Sequence, residues 1–430
     1  VQSAVVEYGF PLGHLGHLSA EEETAFQQFK KVCEEKGYYK PASGPDEQPS
    51  HDDATLLRYL RARRFNVQDA WKQFEDTENW RKASQLDVLY ETIDLAHYEE
   101  TRILYPQWTG RRDRRGMPVY LFEVRHLNSK AMSAYEKSAA KTESKAQTDG
   151  KTPAKLLRLF ALYENLTRFV LPLCTALTDR DYASTPITQS NNIVDISGVG
   201  LKQFWNLRAH MQDASQLATA HYPETLDRIF IIGAPAFFPT VWGWIKRWFD
   251  PITTSKIFIL RDSEIKDTLE KFIDPANIPK KFGGQLDFEW GDYPNLDPAL
   301  EPIVEWKDGY KDFPHGPMYW VPVKGKNAMQ LKVVGSVDGQ ERNEIACTVT
   351  TPVFLSTDAD AAPAQANGYV NGHANGTANG TANGHAVVSK GQDSSTDSAT
   401  DSLNHLSLNE KQEAITTNAD LAKTEIESAS

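Results

Sequence analysis

Cysteine is scarce in this sequence, and long apolar runs are absent. Its three cysteines, Cys33, Cys174 and Cys347, lie far apart along 430 residues and form no CxxC pair. This spacing argues against a disulfide framework or a zinc site and is typical of a reducing compartment. No apolar run approaches the roughly 20 residues that a membrane-spanning helix requires, and no signal-peptide pattern opens the chain. We therefore expect a soluble, cytoplasmic protein.

An excess of basic charge is also lacking, since the net charge is −12. Residues 358–430 contribute much of it, because they hold ten acidic residues and three lysines. The remaining sequence is only mildly acidic, so neither nucleic-acid binding nor strong general attraction to membranes is indicated. A G-x-S-x-G elbow and clusters of His, Cys or Asp at metal-binding spacing are missing too. We accordingly expect no catalytic residue, no metal and no cofactor.

The last part of the chain has little from which to build a core. Residues 358–430 are rich in Ala, Asn, Gly and Ser, and 371–386 repeat with a period of four residues. A segment of this composition cannot bury enough apolar surface to offset the entropy that it would lose on folding. The sequence therefore predicts a disordered tail over 358–430.

The stretch 222–260 contains the most apolar part of the chain. Two short runs rich in Ile and Phe, at 228–233 and 255–260, predict strands buried on both faces. Residues 237–249 between them hold three Trp, three Phe, a Val and an Ile, and Asp250-Pro251 follows. Their spacing predicts a helix with an unusually wide apolar face. That face comprises Phe237, Phe238, Val241, Trp242, Trp244, Ile245, Trp248 and Phe249.

This helix has two interpretations. It is either an ordinary core helix or a gate that covers an apolar cavity and touches a membrane through its tryptophans. Its thirteen residues span about 20 Å, which is too short to cross a bilayer. We favour the gate, with hinges at 233–235 and 250–252, where small residues and prolines localise changes of the backbone.

The rest of the chain divides into regions of different pattern. Residues 1–18 are irregular, and 19–84 form a helical module in which Ser19 and the pair Asp52-Asp53 act as N-caps. Helix and strand patterns alternate over 86–286, apart from a charged insert at 130–152 that we expect to be a partly disordered loop. Residues 287–357 look like the short strands of an appendage. The fold class is therefore α/β with a largely parallel sheet.

Four segments resemble a known family. They are 55–67 (TLLRYLRARRFNV), 222–224 (YPE), 250–260 (DPITTSKIFIL) and 278–284 (IPKKFGG). In this order they resemble the fungal CRAL-TRIO phosphatidylinositol/phosphatidylcholine transfer proteins of the yeast secretory-pathway type. The resemblance implies a helical N-terminal module and a CRAL-TRIO lipid-binding domain, with an apolar pocket for one phospholipid under the gate helix. It also implies a carrier that touches Golgi or endosomal membranes transiently, and we expect a monomer.

The resemblance further implies a site for the phosphoinositol headgroup. The matching positions are Arg63, Glu224, Thr253 and Lys256. Cationic side chains neutralise a phosphate, while a carboxylate and a hydroxyl bind inositol hydroxyl groups. Arg63 and Glu224 would alternatively form an ion pair between the two modules, and Lys256 would be a surface lysine on an apolar strand.

A site for a second lipid headgroup is implied as well. The matching positions are Tyr120, Tyr163, Ser190 and Asn192. The family has a threonine at the position of Asn192, although an asparagine can also donate to a phosphate. The second ligand is therefore either phosphatidylcholine or another hydrophobic molecule, such as a sterol or an isoprenoid. Tyr120 and Tyr163 would otherwise be ordinary packing residues.

Two acyl chains require a continuous apolar pocket, because each CH₂ group left in water costs about 0.8 kcal/mol. We predict that the sheet forms its floor and that the helices around Tyr163 and Phe204 form its walls. The predicted floor residues are Val119, Leu121, Ile193, Val194, Ile229, Ile231, Ile257 and Ile259.

Overall fold

The computed structural model describes residues 9–44, 47–246, 254–307 and 309–352, and for Trp244 and Ile245 it describes the backbone alone. The headgroup residue Thr253, the gate residues Trp248 and Phe249, the hinge at 250–252 and the tail at 358–430 therefore lie outside the described residues.

Three helices form the N-terminal module: α1 (Ala20–Glu35), α2 (Asp53–Ala62) and α3 (Val67–Ser84). The Ser19 hydroxyl accepts a hydrogen bond from Glu22 N, and Ser19 N donates to the Glu22 carboxylate, which is a capping box. The Asp52 carboxylate accepts from Thr55 N at the start of α2. Both predicted caps are confirmed.

The N-terminal module docks on the end of a long helix of the next domain, α9 (Leu201–His221). Gln73 on α3 donates to the carbonyls of Thr219 and Ala220 at 3.0 and 2.8 Å. The indole of Trp80 stacks on the His221 ring, with centroids 4.1 Å apart and an angle of 2° between the planes. Polar and aromatic contacts thus fix the module against α9.

A five-stranded sheet forms the centre of the second domain, in the order β1-β2-β3-β4-β5. Its strands are β1 (Gln107–Arg112), β2 (Pro118–Glu123), β3 (Ser190–Asp195), β4 (Leu226–Ile232) and β5 (Ile257–Ile259). The β1–β2 pair is antiparallel and the other three pairs are parallel. The prediction of a largely parallel sheet is confirmed.

The two faces of this sheet are covered differently. One face, here called the sealed face, packs against α11 (Ile265–Phe272) and against apolar residues of 278–288. Its residues are Val119, Leu121, Ile193, Phe230 and Ile232, each at most 3% exposed. The prediction that Val119, Leu121 and Ile193 line the pocket floor is wrong, because side chains alternate along a strand and these three point away from the gate helix.

The opposite face, here called the open face, carries one row of residues in register. Tyr120 pairs with Asn192, Asn192 with Ile229, and Ile229 with Ile257. These four residues and Val194 are only half-buried. Because β3 and β4 have paired neighbours on both sides, the accessible surface of their residues must open onto space above this face.

The predicted gate helix packs at one end of the open face. Helix α10 (Phe238–Ile245) lies within the predicted range, and Phe238 and Val241 are buried against Ile196, Val199 and Ile231. Gly233, in the predicted hinge, has φ 69°, and a Cβ there would lie 1.9 Å from Ser197 Oγ. Only glycine fits this turn without displacing the neighbouring backbone.

The insert at 130–152 is not the partly disordered loop that its composition predicted. Ser129–Ala139 form helix α6, whose first turn is capped by Asn128. The fully buried Arg158 donates to Ser138 O at 2.8 Å and to Thr142 Oγ1 at 2.6 Å, and it pairs with Glu100 at 2.9 Å. This interior arginine orders the insert, and composition alone does not reveal it.

Other helices depart from the sequence-based expectations. The helix predicted around Tyr163 comprises α7 (Ala154–Asn165), a π turn (Leu166–Val170) and α8 (Leu171–Ala176). Pro172 lies in the first turn of α8, and its missing N–H accounts for the widened turn before it. Two short helices, α4 (Leu86–Thr92) and α5 (Leu95–Arg102), and the polar strand β1 were not located from the sequence.

The appendage is a four-stranded antiparallel sheet in the order β6-β11-β8-β7. Its strands are β6 (Val304–Trp306), β7 (Met318–Pro322), β8 (Ala328–Val333) and β11 (Glu344–Thr350), with the short pair β9 (Ser336–Val337) and β10 (Gln340–Glu341). Trp320 Nε1 donates to Phe169 O at 2.9 Å, and Tyr90 Oη donates to Met318 O at 2.7 Å. The sheet thereby rests on the helices that precede β3.

Candidate functional site

Two of the predicted headgroup residues lie together at the amino edge of the parallel strands. Glu224 precedes β4 and Lys256 precedes β5. Lys256 Nζ lies 3.9 Å from Glu224 Oε2 and donates to Leu226 O at 3.2 Å. The Lys256 side chain is 15% exposed. Lys256 is therefore held inside the strand edge and is not an ordinary surface lysine.

Arg61 joins this pair, although sequence reasoning named Arg63. Arg61 Nη2 lies 3.3 Å from Glu224 Oε2, so an ion pair between the modules is made by a residue that sequence reasoning missed. Helix α2 ends at Ala62 with Arg63 as its C-cap, and Arg64 and Phe65 follow with φ values of 51° and 60°. The sequence did contain a signal, since 54, 57, 58 and 61 follow the i, i+3, i+4, i+7 spacing of one helix face.

The backbone at Glu224 is held in an unusual conformation. Its φ of 57° places it in the left-handed region, which costs a residue with a Cβ about 1–2 kcal/mol. Neighbouring hydrogen bonds maintain the turn: Arg58 Nη1 donates to Pro223 O at 3.2 Å, and Thr225 Oγ1 donates to Tyr222 O at 2.9 Å. The turn presents the carboxylate to both Arg61 and Lys256.

His14, in the segment before α1, lies against the same cluster and is nearly fully buried. Arg61 Nη1 lies 2.6 Å from His14 Nε2, and a guanidinium can only donate, so Nε2 is the acceptor. The proton is then on Nδ1, which donates to Leu12 O at 3.1 Å. Burial, together with the charge of Arg61, lowers the pKa of His14 to about 3. The imidazole is therefore neutral at physiological pH.

Three residues of the predicted second-lipid set lie together on the open face or at its amino edge. Asn192 pairs with Tyr120 across β2 and β3, and Asn192 Nδ2 lies 3.4 Å from Ser190 Oγ. Ser190 is buried and donates to Thr225 O at 3.2 Å, which leaves it little freedom to contact a ligand. Tyr120 and Asn192 keep accessible surface and are the members that a ligand above the sheet can reach.

The fourth member, Tyr163, lies on α7. Tyr120 and Tyr163 both pack against one apolar cluster, and both are half-buried. Burial raises the pKa of Tyr163 to about 12 and that of Tyr120 well above its ordinary value. The phenol groups therefore remain neutral at physiological pH and can donate or accept hydrogen bonds.

A buried ion network holds α7 in place. Arg81 on α3 donates to both Glu164 oxygens at 2.7 and 2.9 Å, and Tyr222 Oη donates to Glu164 at 2.6 Å. Burial alone would raise the pKa of Glu164, but Arg81, Arg168 and Tyr222 outweigh it and lower that pKa to about 2. Glu164 is thus ionised and ties the wall that carries Tyr163 to the N-terminal module.

Two further findings concern the described ranges only. Within them, no group of three or more His, Cys, Asp or Glu side chains has the arrangement of a metal site. Over the same ranges, no helix combines the length and the apolar character that crossing a bilayer requires.

The chain matches two family models, one over the N-terminal helical module and one over the domain with the five-stranded sheet. Residues 25–76 match the CRAL/TRIO N-terminal domain, and residues 104–284 match the CRAL/TRIO domain. The SEC14 cytosolic factor of Eremothecium gossypii is 33% identical over 279 residues, which are 64% of this chain and 80% of that protein. This chain belongs to the CRAL/TRIO family.

The chain is also similar to other proteins. The SEC14 cytosolic factor of Yarrowia lipolytica is 31% identical over 361 residues, 84% of this chain and 64% of that protein. An Arabidopsis thaliana protein, phosphatidylinositol/phosphatidylcholine transfer protein SFH7, is 32% identical over 244 residues, 55% of this chain and 40% of that protein. The crystal structure of Sfh5 aligns with a TM-score of 0.44 and 15% identity over 66% of this chain and 96% of that one.

Proposed function

We propose that this CRAL/TRIO protein binds one phospholipid at a time and exchanges phosphatidylinositol between membranes, with phosphatidylcholine as its second ligand. The observation that carries the proposal is the half-buried open face, which ends at its amino edge in the cluster of Arg61, Glu224 and Lys256. An apolar surface next to a charged cluster matches the two parts of a phospholipid.

The polar part of the proposal concerns the headgroup. Lys256 and Arg61 would neutralise the phosphate, while Glu224 would accept hydrogen bonds from inositol hydroxyl groups. Arg63 and Thr253 stay in the proposed site on the strength of the sequence motif. The name of the Arabidopsis relative, which states transfer of both lipids, supports the same ligands.

The apolar part concerns the acyl chains and the gate. Val194, Ile229 and Ile257 would contact the chains, because they keep accessible surface under the helices that border the open face. Opening of α10 at a membrane would replace its buried contacts by contacts with the bilayer interface, which lowers the barrier to exchange. We place this exchange at Golgi or endosomal membranes, where it would supply phosphatidylinositol for phosphoinositide synthesis.

One observation favours a different second ligand. Asn192, which lies centrally on the open face, replaces the family's threonine and already lies near Ser190 Oγ. The alternative is a carrier whose second ligand is a sterol, an isoprenoid or another hydrophobic molecule.

Vesicle-to-vesicle transfer of labelled phosphatidylinositol and phosphatidylcholine tests the proposal. We expect Lys256→Ala to lower phosphatidylinositol transfer by at least about tenfold, because removing one partner of a largely buried charge cluster costs several kcal/mol. Lys266→Ala, on the exposed surface of α11, is the matched control. Phosphatidylcholine transfer should persist in both variants.

The outcomes separate the alternatives. Equal loss of both lipids in Lys256→Ala would show that Lys256 supports the fold instead of the headgroup. Transfer of phosphatidylcholine only after Asn192→Thr would favour the other second ligand, which lipid analysis of the purified protein would then identify. Absence of phosphatidylinositol transfer in the unmodified protein would refute the proposal.

A further inference from the structure

The first two turns of α9 carry an exposed apolar pair. Leu201 is 46% exposed, and Trp205 is 36% exposed. The two residues are four positions apart on the helix, so their side chains are neighbours on one face of it. Single exposed apolar residues are ordinary, but large apolar side chains that are exposed side by side form a patch and indicate an interaction surface.

The charged residues on the same face of α9 are basic. Lys202 is exposed, and the guanidinium carbon of Arg208 lies 5.6 Å from the centroid of the Trp205 ring. No carboxylate occurs along α9 before Asp213. At 3.6 residues per turn, two apolar side chains and two cations fall within an arc of about 120°. These four residues, here called the α9 patch, are Leu201, Lys202, Trp205 and Arg208.

A third cation borders the α9 patch from the start of α6. Asn206 Nδ2 donates to Ser129 Oγ at 2.9 Å, which joins the first residue of α6 to this part of α9. Lys130 follows Ser129 and is exposed. Within the described ranges, none of the three cations Lys130, Lys202 and Arg208 pairs with a carboxylate.

The carboxylates on the elements that adjoin this patch are already paired. Glu123 and Asp195, at the ends of β2 and β3, both pair with Lys281, at 2.5 and 2.9 Å. On α6, Glu136 pairs with Lys155 at 2.5 Å. The surroundings therefore do not neutralise the α9 patch, and its positive charge is directed to the outside of the protein.

The α9 patch continues into the apolar cluster that holds the predicted gate helix. The rings of Trp205 and Phe204 have centroids 5.8 Å apart. Phe204 in turn packs against the cluster that contains Phe238 and Val241 of α10. Contact of α10 with a bilayer would therefore bring the α9 patch to the same bilayer.

We propose that the α9 patch, together with Lys130, docks on the surface of an anionic bilayer. The proposal rests on the proposed function, since it adds a second contact beside the gate. Tryptophan is favoured at the level of the lipid headgroups, and cations near the surface attract anionic lipids. An acidic protein segment would match the cations alone, whereas Leu201 and Trp205 favour the bilayer. Charges beyond about 8 Å are largely screened, so the net charge of −12 does not oppose this contact.

Sedimentation of the full chain with vesicles tests the proposal. We expect stronger binding to phosphatidylcholine vesicles that contain about 30 mol% phosphatidylserine than to vesicles of phosphatidylcholine alone. A variant that combines Lys130→Gln, Lys202→Gln and Arg208→Gln should bind the anionic vesicles at least about tenfold more weakly, because three attractive charges are lost. Thermal unfolding checks that the variant is folded.

The matched control removes the same charge from another surface. It combines Lys31→Gln, Lys36→Gln and Lys72→Gln, which change exposed lysines of the N-terminal module. This module contacts the opposite end of α9, at Thr219 and Ala220. Binding of the control to the anionic vesicles should equal that of the unmodified protein.

A second variant tests the apolar half of the α9 patch. Trp205→Gln should weaken binding to the anionic vesicles by about fivefold, because the apolar surface that enters the bilayer interface is lost. Val88→Gln, at a residue of α4 that is 39% exposed, is the control and should bind as the unmodified protein does. Both substitutions are at exposed positions, so thermal unfolding should change little.

Three results would overturn the proposal. The first is equal binding of the unmodified protein to both kinds of vesicle, or binding to neither. The second is binding that no variant of the α9 patch weakens, which would leave an acidic protein segment as the partner of the cations. The third is an effect of the charge variant without an effect of Trp205→Gln, which would show attraction at a distance instead of docking.

Failure of the proposed function is distinguishable from failure of this inference. If the protein does not transfer phosphatidylinositol, vesicle sedimentation still reports on the α9 patch. If it transfers phosphatidylinositol but its binding to vesicles is the same in all variants, the proposed function stands and the docking surface does not.

Discussion

The sealed and open faces of the central sheet are built from the same strands but are covered to different extents. On β3, Ile193 is 0% exposed on the sealed face, whereas its neighbour Val194 is half-buried on the open face. On β4, Phe230 and Ile229 show the same contrast. Successive residues of one strand are therefore packed differently: one set lies in the core, and the other lines the face on which we propose that a ligand binds.

The largest expected effect tests this division directly. Ile193→Ala should lower the free energy of unfolding by about 4 kcal/mol, because it leaves a cavity in a fully packed region. Ile229→Ala should lower it by only about 1 kcal/mol, because part of that side chain already faces open space. Urea unfolding measures both. Equal losses would contradict the distinction between the two faces.

The next effect concerns the wall of the open face. Glu164→Gln should destabilise the protein by about 3 kcal/mol, because Arg81 loses the charge that neutralises it in a buried site. Asp87→Asn is a control, since Asp87 pairs with the same arginine but is 65% exposed. A similar loss of stability in both variants would show that Glu164 contributes no more than the exposed Asp87.

This network also predicts a dependence on pH. The pKa of Glu164 is about 2 in the folded state and near 4.5 when unperturbed. Its contribution to the free energy of unfolding is therefore complete above about pH 4.5. It is lost as the pH falls from there towards 2. The stability difference between the unmodified protein and Glu164→Gln should therefore shrink over this interval. A constant difference would refute the assignment.

Two glycines near the gate give a smaller effect of opposite sign. Gly233→Ala should destabilise by about 2 kcal/mol, because its Cβ would collide with Ser197 and its φ is positive. Gly243→Ala, within α10, should stabilise by about 0.5–1 kcal/mol, because the added methyl group would have no described atom within 4 Å. Thermal unfolding measures both. A loss of stability in Gly243→Ala would show that α10 is packed more closely.

The smallest effect is expected at the centre of the open face. Asn192→Thr should raise phosphatidylcholine transfer by about threefold, because it restores the family's threonine. The effect is small because one hydrogen-bonding group replaces another at a half-buried position. Phosphatidylinositol transfer should not change. A fall in phosphatidylcholine transfer would instead show that the asparagine itself contacts that lipid.

The sequence predicted elements that depend on local chemistry. Ser19 and Asp52 cap helices as expected, and the helix predicted around Phe204 is α9, since a cap or a long periodic pattern is decided by neighbours along the chain. The sequence did not show which way Val119 and Ile193 face. Both neighbours in such a strand are apolar, so only the packed structure distinguishes the sealed face from the open face.

Prediction of the candidate site from the sequence has the same limit. Glu224 and Lys256 lie close together, because both precede parallel strands that lie side by side. The pairing of Arg61 with Glu224 depends on where α2 ends and on how the chain turns there. The order of the insert likewise depends on Arg158, a residue outside it.

Native mass spectrometry of the protein after incubation with phosphatidylinositol vesicles tests the central claim most directly. The unmodified protein should carry one phospholipid, and Ile229→Trp, which fills the space above the open face, should carry none while unfolding at a similar urea concentration. Equal occupancy in both proteins, or an unmodified protein without lipid, would contradict the account.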